Sequence, residues 1–219
     1  ANQTPSVSRC SQPCATNSAA TPYGAEASPR MADIRAFNGS DKLTHAAADA
    51  VLALALAAVR DRDRFVWGIS GGPSIAMLLR MLADEYYSAR MPWPNTYITF
   101  NNEIWVAPTE PESVQRMARE ELLDRVNIPR EQVRAILTIG VTPEESAAVA
   151  ERHVTELFKG PLRPDLLLLT IGDDGHTAGL FPGSGALLEN EALFFATEVP
   201  DTGETHITST FRWIATARN

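Results

Sequence analysis

Cysteine is scarce in this sequence, and its two cysteines form no metal-binding or disulfide framework. Cys10 and Cys14 are spaced C-x3-C within a segment rich in Ser, Thr and Pro, with no further Cys and no His near them. A zinc ion needs about four such ligands, so a zinc site is not predicted. A single disulfide in an oxidising compartment is the alternative that two cysteines leave open. We therefore expect neither a metal ion nor a cofactor.

Clustered positive charge and long hydrophobic runs are also missing. The 219 residues carry 19 Lys and Arg against 27 Asp and Glu, a net charge of −8, with no basic cluster. This argues against a nucleic-acid-binding protein, although a small anionic substrate needs only a few local donors. The longest apolar run, residues 46–59, contains Asp49 and is too short to span a bilayer, so no membrane insertion is predicted. With 44% hydrophobic residues, the chain can form a sizeable globular core.

Residues 1–30 differ in composition from the rest of the chain. They are rich in Ser, Thr, Ala and Pro and show no apolar period. Such a segment buries too little surface to offset its loss of conformational entropy, which predicts an irregular tail. A Ser-rich leader with few acidic residues also resembles part of an organellar transit peptide. We expect a folded domain over residues 31–219 in a cytoplasmic protein, with the matrix of a mitochondrion or plastid as the alternative location.

From residue 31 onward, helical and strand patterns alternate. Helices are predicted over residues 40–60, 73–89, 112–126 and 142–158, and strands over residues 64–69, 97–100, 135–139 and 166–171. Ser40 is expected to cap the first helix, whose buried face is predicted to contain Leu43, Ala46, Ala47, Val51 and Leu54. Thr142 and Glu145 form a capping box for the last helix. The alternation predicts a single α/β domain, with a parallel sheet between helices on both faces.

The segment 165–183 (DLLLLTIGDDGHTAGLFPG) carries the most informative chemistry. Its buried strand ends at Gly172, and residues 173–177 follow at the carboxyl end, where parallel sheets place ligands. His176 can act there as a general base with Asp174 orienting it, and exposed backbone N–H groups can hold an anion. The alternative is a turn in which Asp and Gly serve the backbone conformation and His176 is merely solvated.

The run from Gly172 to Gly183 (GDDGHTAGLFPG) closely resembles the signature of the 6-phosphogluconolactonase family. Ser70-Gly71-Gly72 lies where that family has its sugar-phosphate loop, and residues 113–123 (SVQRMAREELL) resemble the helix that follows its acidic loop. The resemblance implies a Rossmann-like domain and a metal-free esterase reaction within the pentose phosphate pathway. In that reaction a His activates water, which attacks the lactone carbonyl of 6-phosphogluconolactone.

The same resemblance suggests roles for individual residues. His176 would inherit the role of the base, with Asp174 beside it. The residues expected to bind the substrate are Ser70, Gly71, Gly72, Glu103, Gly175 and Thr177. For Glu103, which follows a predicted strand, a solvated loop position is the alternative.

Several positions depart from the family pattern. Ile104, Asp201 and His206 stand where the family has Arg, Lys and Arg. Residues 73–75 are Pro-Ser-Ile where the family usually has Ser/Thr-Thr-Pro, so one hydroxyl donor fewer follows Ser-Gly-Gly. The family also continues past the equivalent of Asn219 with a strand and a helix, so a shortened C-terminal end is expected. Each charge-assisted phosphate contact is worth on the order of 1.5–3 kcal/mol. Impaired activity on a phosphorylated lactone is therefore predicted.

Two function classes remain open at this point. One is an active or weakly active lactonase, whose partner is a sugar-phosphate lactone. The other is a catalytically silent subunit that binds protein partners within a larger assembly. Arg116, Arg119 and Arg212 are candidates to replace the missing cations.

Overall fold

The computed structural model describes residues 33–219, so the segment that contains both cysteines lies outside the described residues. The chain divides into two units, Ala1–Arg35 and Ala36–Asn219. Of the first unit only residues 33–35 are described, and there Arg35 pairs with Asp33. The tail over residues 1–30 and the domain boundary after it remain predictions.

A parallel sheet of four strands forms the centre of the second unit. Its two longer strands are β1 (Phe65–Ile69) and β2 (Thr96–Phe100), which pair in parallel along their whole length. The short strands β4 (Val133–Arg134) and β5 (Leu166–Leu167) complete the sheet in the order β4-β2-β1-β5. The predicted α/β class with a parallel sheet is confirmed.

Helices precede or follow these strands. They are α1 (Ser40–Arg62), α2 (Pro73–Ala83), α3 (Glu85–Ser88), α4 (Val114–Ala118), α5 (Pro143–Thr155) and α6 (Phe211–Ile214). The capping box of α5 forms as predicted, with Thr142 and Glu145 each accepting a hydrogen bond from the other's backbone N–H. The predicted helix over residues 112–126 is instead α4 continued by a π-helical turn, Arg119–Leu123. The helix predicted to reach residue 89 ends at Ala83, because Asp84 is extended.

A second sheet was absent from the sequence prediction. Strands β3 (Asn102–Ile104), β7 (Thr205–Ser209) and β6 (Phe194–Glu198) pair antiparallel in the order β3-β7-β6. β3 begins two residues after the end of β2, so the chain passes from one sheet to the other at Asn101. Helix α5 packs against β6 and β7. The prediction of a purely parallel sheet was therefore incomplete.

Helix α1 packs against α2 and β1 through a face that overlaps the predicted one only in part. Its buried residues are Thr44, Ala48, Val51, Ala55 and Ala58. Of the predicted face, Val51 is buried, Ala47 and Leu54 are partly buried against the core, and Leu43 is 46% exposed. Since α1 carries small apolar residues on most of its surface, a rotated face with four small side chains allows close approach. The predicted Ser40 cap is also wrong, because Gly39 is the N-cap and Ser40 begins the helix.

By length and composition alone, α1 is long and apolar enough to cross a membrane. Core helices of globular proteins pass the same test, and here α1 packs on α2 and β1. The core of this unit includes large side chains that are completely or almost completely buried: Phe65, Trp67, Leu79, Phe100 and Trp213.

The strand predicted over residues 135–139 does not form, since the strand at this place is Val133–Arg134. Side chains from the helices on either side of this segment bind the backbone carbonyl oxygens that a strand would use. Gln115 Nε2 donates to Ile136 O over 2.7 Å, and Ser146 Oγ donates to Leu137 O over 2.5 Å. The predicted strand over residues 166–171 is likewise regular only at Leu166–Leu167.

Candidate active site

Three connections meet at the carboxyl edge of the parallel sheet. Because β1, β2 and β5 run parallel, the segments that follow them lie at the same edge. The segment after β1 is the turn Ser70-Gly71-Gly72, and Asn101 follows β2. Asn101 Nδ2 donates to Ser70 Oγ over 3.2 Å and to Leu168 O over 2.9 Å. One buried amide thus ties together the ends of three strands.

The loop after β5 reaches the turn after β1 and then folds back on itself. Thr170 Oγ1 donates to Gly71 O over 3.4 Å. Further along the loop, Gly172 N donates to His176 O, and Gly175 N donates to Gly172 O, each over 2.9 Å. Gly175 has a φ of 87°, which favours glycine. The loop is therefore a compact turn that presents His176.

His176 is held by the neighbouring carboxylate. Its Nδ1 lies 2.5 Å from Asp174 Oδ1, and its backbone N–H donates to the same oxygen over 3.0 Å. The backbone N–H of His176, followed by its ring, lowers the pKa of Asp174, so this carboxyl is ionised at neutral pH. An ionised carboxylate accepts a hydrogen bond from Nδ1–H. When the ring is neutral, its other nitrogen, Nε2, then carries no proton and can accept one. The His176 side chain is 32% exposed, as a group that meets water must be.

A row of three rings extends from His176 into the protein. The ring centroids of His176 and Phe181 are 4.5 Å apart, and those of Phe181 and His206 are 5.0 Å apart. His206 lies on β7 and is buried, and neither of its ring nitrogens has a hydrogen-bond partner. Burial lowers the pKa of His206, against an opposite effect of Glu204, whose Oε2 lies 3.5 Å from Nε2. His206 is therefore neutral at pH 7.

The turn after β1 combines a buried hydroxyl with two half-buried glycines. Ser70 is buried, and its Oγ accepts the Asn101 amide. Gly71 and Gly72 are only half-buried, and Gly72 is the N-cap of α2 with a φ of 115°. Of the three predicted substrate-binding residues in this turn, Ser70 is thus engaged within the protein while the two glycines remain partly accessible.

Glu103 is completely buried, which excludes the solvated loop position that we considered as its alternative. Its Oε1 accepts hydrogen bonds from the backbone N–H groups of Ile104 and Val114, and its Oε2 accepts from Ser113 Oγ and the Gln115 N–H. Four donors within the protein thus surround the carboxylate. In this structure Glu103 joins β3 to the first turn of α4, and its role in substrate binding remains a prediction.

The segment after His176 connects the loop to the antiparallel sheet. Thr177 is half-buried and bridges to Leu180, whose N–H donates to Thr177 O over 2.9 Å. Gly179 N then donates to Thr208 Oγ1 on β7 over 2.9 Å. This contact places the loop beside the strand that carries His206. Gly175 and Thr177, which flank His176 in the sequence, are thus part of a loop that is attached to β7 through Gly179.

The positions that depart from the family pattern fall into two groups. Ile104 and His206 are opposite each other in the β3–β7 pairing, whereas Asp201 lies exposed in the connection before β7. The three arginines considered as replacement cations are engaged elsewhere. Arg116 pairs with Glu120, and Arg119 and Arg212 donate to the backbone oxygens of Pro108 and Glu191.

Sequence reasoning missed Asn101, Thr170 and Phe181. Phe181 lies within the motif that carries the resemblance, but an apolar residue in a loop gives no signal of the ring that it will face. Asn101 could have been noticed as a polar residue directly after an apolar strand.

Within residues 33–219, no three His, Cys, Asp or Glu side chains are close enough together to hold a metal ion. A cavity of about 630 Å³ lies near α4 and β4 and does not include His176.

A histidine held by a carboxylate, at the carboxyl edge of a parallel sheet, is an arrangement that can supply a general base. Comparison with known proteins makes the class specific. The model of the glucosamine-6-phosphate isomerases/6-phosphogluconolactonase family matches residues 38–219. The chain belongs to this family, which confirms the resemblance seen in the sequence.

Similar proteins support the lactonase side of the family. The 6-phosphogluconolactonase of Nostoc sp. is 34% identical over 173 residues, which is 77% of this chain and 70% of that protein. A probable 6-phosphogluconolactonase of Oryza sativa subsp. japonica is 30% identical over 200 residues, 85% of this chain and 66% of that protein. The solved 6-phosphogluconolactonase of Trypanosoma brucei is 25% identical with a TM-score of 0.73, covering 83% of this chain and 77% of that one. The protein is thus 6-phosphogluconolactonase-like.

Proposed function

We propose that this chain hydrolyses a sugar lactone with His176 as the general base, and that its activity on 6-phosphogluconolactone is impaired. The observation that carries the proposal is the 2.5 Å contact between His176 Nδ1 and Asp174 on a partly exposed loop. This contact leaves Nε2 available to water. The names of the relatives supply the reaction class.

In the proposed reaction, Nε2 of His176 removes a proton from water while the water oxygen attacks the lactone carbonyl carbon. The tetrahedral intermediate collapses by breaking the ring C–O bond, and the imidazolium returns its proton to the departing alkoxide. The Asp174 carboxylate stabilises the imidazolium between these two steps. General base catalysis of this kind contributes about 10²- to 10⁴-fold. No metal or cofactor takes part in these steps.

The impairment concerns the phosphate group of the substrate. Ile104, Asp201 and neutral His206 stand at positions where three cations are expected from the family pattern. Losing even two of these three charge-assisted contacts, at about 1.5–3 kcal/mol each, would weaken binding roughly a thousandfold. A catalytically silent subunit with protein partners is the second candidate, and the same lack of cations favours it.

We place the protein in the cytoplasm, or in an organelle matrix if residues 1–30 are part of a transit peptide.

The test is an assay of the purified protein with freshly generated 6-phosphogluconolactone, corrected for spontaneous hydrolysis. We expect a low rate that His176→Ala abolishes, while His45→Ala, which changes an exposed histidine on α1, leaves it unchanged. A rate that His176→Ala does not alter would overturn the proposed base. A wild-type turnover of about 10 per second would contradict the impairment. Restoring Ile104→Arg, Asp201→Lys and His206→Arg together should raise the rate.

A further inference from the structure

The cavity near α4 and β4 is large for a space inside a folded domain. Its volume is about 630 Å³, whereas close-packed interiors leave few gaps larger than a water molecule. Pockets that bind small molecules measure about 300–1,000 Å³. The lining comes from β2, β4 and residues between 108 and 130, and does not include the loop of His176. The space therefore has the size of a ligand pocket and is separate from the candidate active site.

The inner part of this cavity is mostly apolar. Phe100, the last residue of β2, is buried there. Leu123, Val126 and Ile128 line the cavity as well and are half-buried. A ligand that covers these side chains removes apolar surface from water, which favours binding. The inner wall thus suits an aromatic or aliphatic group.

The opening of the cavity is charged. Arg119, Asp124 and Arg130 line it and are exposed, which places them where the cavity meets solvent. Two guanidinium groups stand there against one carboxylate. Guanidinium groups bind carboxylate-like anions through paired N–H donors. The opening therefore favours an anionic group, and the carboxylate of Asp124 favours a singly charged anion over a dianion.

The helical turn beside the cavity has an uncommon geometry. The turn Arg119–Leu123 is π-helical, and both of its end residues line the cavity. Such turns are rare within helices and are frequent at functional sites. Arg119 Nη2 donates to the backbone oxygen of Pro108, another lining residue, over 2.6 Å. This bond holds the guanidinium at the cavity and uses one of its five donors. The turn is a second feature, independent of the volume, that indicates ligand binding.

We infer that this cavity binds a small monoanion with an apolar body, such as an aryl or alkyl carboxylate. The apolar body packs against Phe100 and Leu123, and the anionic group meets Arg119 and Arg130 at the opening. An inorganic anion would leave the apolar wall in contact with water, and an uncharged ligand would gain nothing from the guanidinium groups. The inference does not depend on the proposed hydrolysis at His176.

The experiment titrates the full chain with anilinonaphthalene sulfonate, an apolar monoanion whose fluorescence rises in apolar surroundings. Phenylnaphthylamine, which has the same ring system without the sulfonate, is the uncharged comparison. We expect one saturable site, with an affinity at least about tenfold higher for the sulfonate, because a charge-assisted contact distinguishes the two probes.

Two pairs of variants locate the binding. Arg130→Gln should lower the affinity for the sulfonate about tenfold and leave that for the uncharged probe unchanged. Arg60→Gln, which changes an exposed arginine on α1, is its control. Ala135→Phe places a ring in the cavity and should remove binding of both probes. Ala53→Phe, at an exposed position on α1, is the control for the added ring. His176→Ala should bind both probes like the wild type.

The outcomes decide the inference without the lactone assay, so failure of the proposed hydrolysis leaves it standing. Weaker sulfonate binding in Arg130→Gln, with wild-type binding in Arg60→Gln, supports it. Equal affinities of the two probes for the wild type, or no saturable binding, overturn it. Full sulfonate affinity in Arg130→Gln or in a folded Ala135→Phe variant also overturns it, because the probe then binds elsewhere. If the melting curve shows that Ala135→Phe does not fold, the exposed Arg130 decides alone.

Discussion

Gly172 leaves no room for a side chain beside His176: a Cβ at Gly172 would lie 2.3 Å from Nδ1 and Cε1 of the imidazole. The ring therefore packs directly over the backbone of the residue at which its loop closes. A methyl group at position 172 must push the ring away, because carbon and nitrogen atoms do not approach so closely.

Gly172→Ala should therefore displace His176 from Asp174. We expect kcat for lactone hydrolysis to fall by at least about tenfold, because a displacement of about 1 Å at a catalytic group can cost roughly a hundredfold. The melting temperature should change little, since this loop carries little of the core. Gly160→Ala is the control, because nothing lies within 4 Å of a Cβ at that position. Full activity of the Gly172→Ala variant would show that the position of this ring is unimportant.

Asp174→Asn tests the orientation of the base separately from its presence. An amide in place of the carboxylate no longer stabilises the imidazolium that forms during the reaction. We expect kcat to fall roughly tenfold to a thousandfold with little change in KM. Asp173→Asn changes the neighbouring exposed carboxylate and should have only a small effect. Equal effects of the two substitutions would assign the loss to loop charge rather than to the Asp174–His176 contact.

Glu103→Gln tests the buried junction between β3 and α4. Glutamine supplies only one acceptor oxygen to the four donors around Glu103 and turns its own N–H groups toward some of them. The free energy of unfolding in urea should fall by about 2–4 kcal/mol. Glu112→Gln, at an exposed position just before α4, should leave it unchanged within about 0.5 kcal/mol. A Glu103→Gln variant as stable as wild type would mean that water replaces the lost interactions.

His206 should make the stability of the fold sensitive to mild acid. Burial lowers its pKa in the folded state, so the unfolded chain binds the proton more readily. The neutral ring is favourable above about pH 6.5, and the corresponding stability is lost as the pH falls from there toward the folded-state pKa. His206→Phe, which keeps an aromatic ring beside Phe181, should flatten the unfolding free energy between about pH 7 and 5. The exposed control His45→Gln should retain the wild-type slope, and an equal slope in all three proteins would contradict the assignment.

Local sequence features predicted the elements whose interactions lie close along the chain. The side chains of Thr142 and Glu145 each accept a hydrogen bond from the other's backbone N–H within one helical turn, so the start of α5 could be predicted from the sequence. β1 was also predictable, because residues Phe65–Ile69 are all apolar or glycine, which is typical of a strand buried on both faces. All five residues are buried in the structure. The contact between Asp174 and His176 is equally local, since the two residues are two positions apart, while the role of their loop as the site stays a prediction.

Long-range contacts explain the failures. The apolar residues 135–139 read as a strand, but their carbonyls bind Gln115 and Ser146, which the sequence does not place beside them. The antiparallel sheet joins Glu103 to Ile207 across more than a hundred residues. The burial of Glu103 could not be predicted either, since its four donors come together only when β3 meets α4.

The amide of Asn101 has a consequence for how such a site can diverge. It fixes the spacing between the turn that carries Ser70 and the loop that continues from Leu168 to His176, although no part of it takes part in the proposed proton transfers. The spacing of these two segments and the chemistry of the base therefore depend on different residues. We expect a substitution at this one interior position to change that spacing while the base and its carboxylate stay as they are.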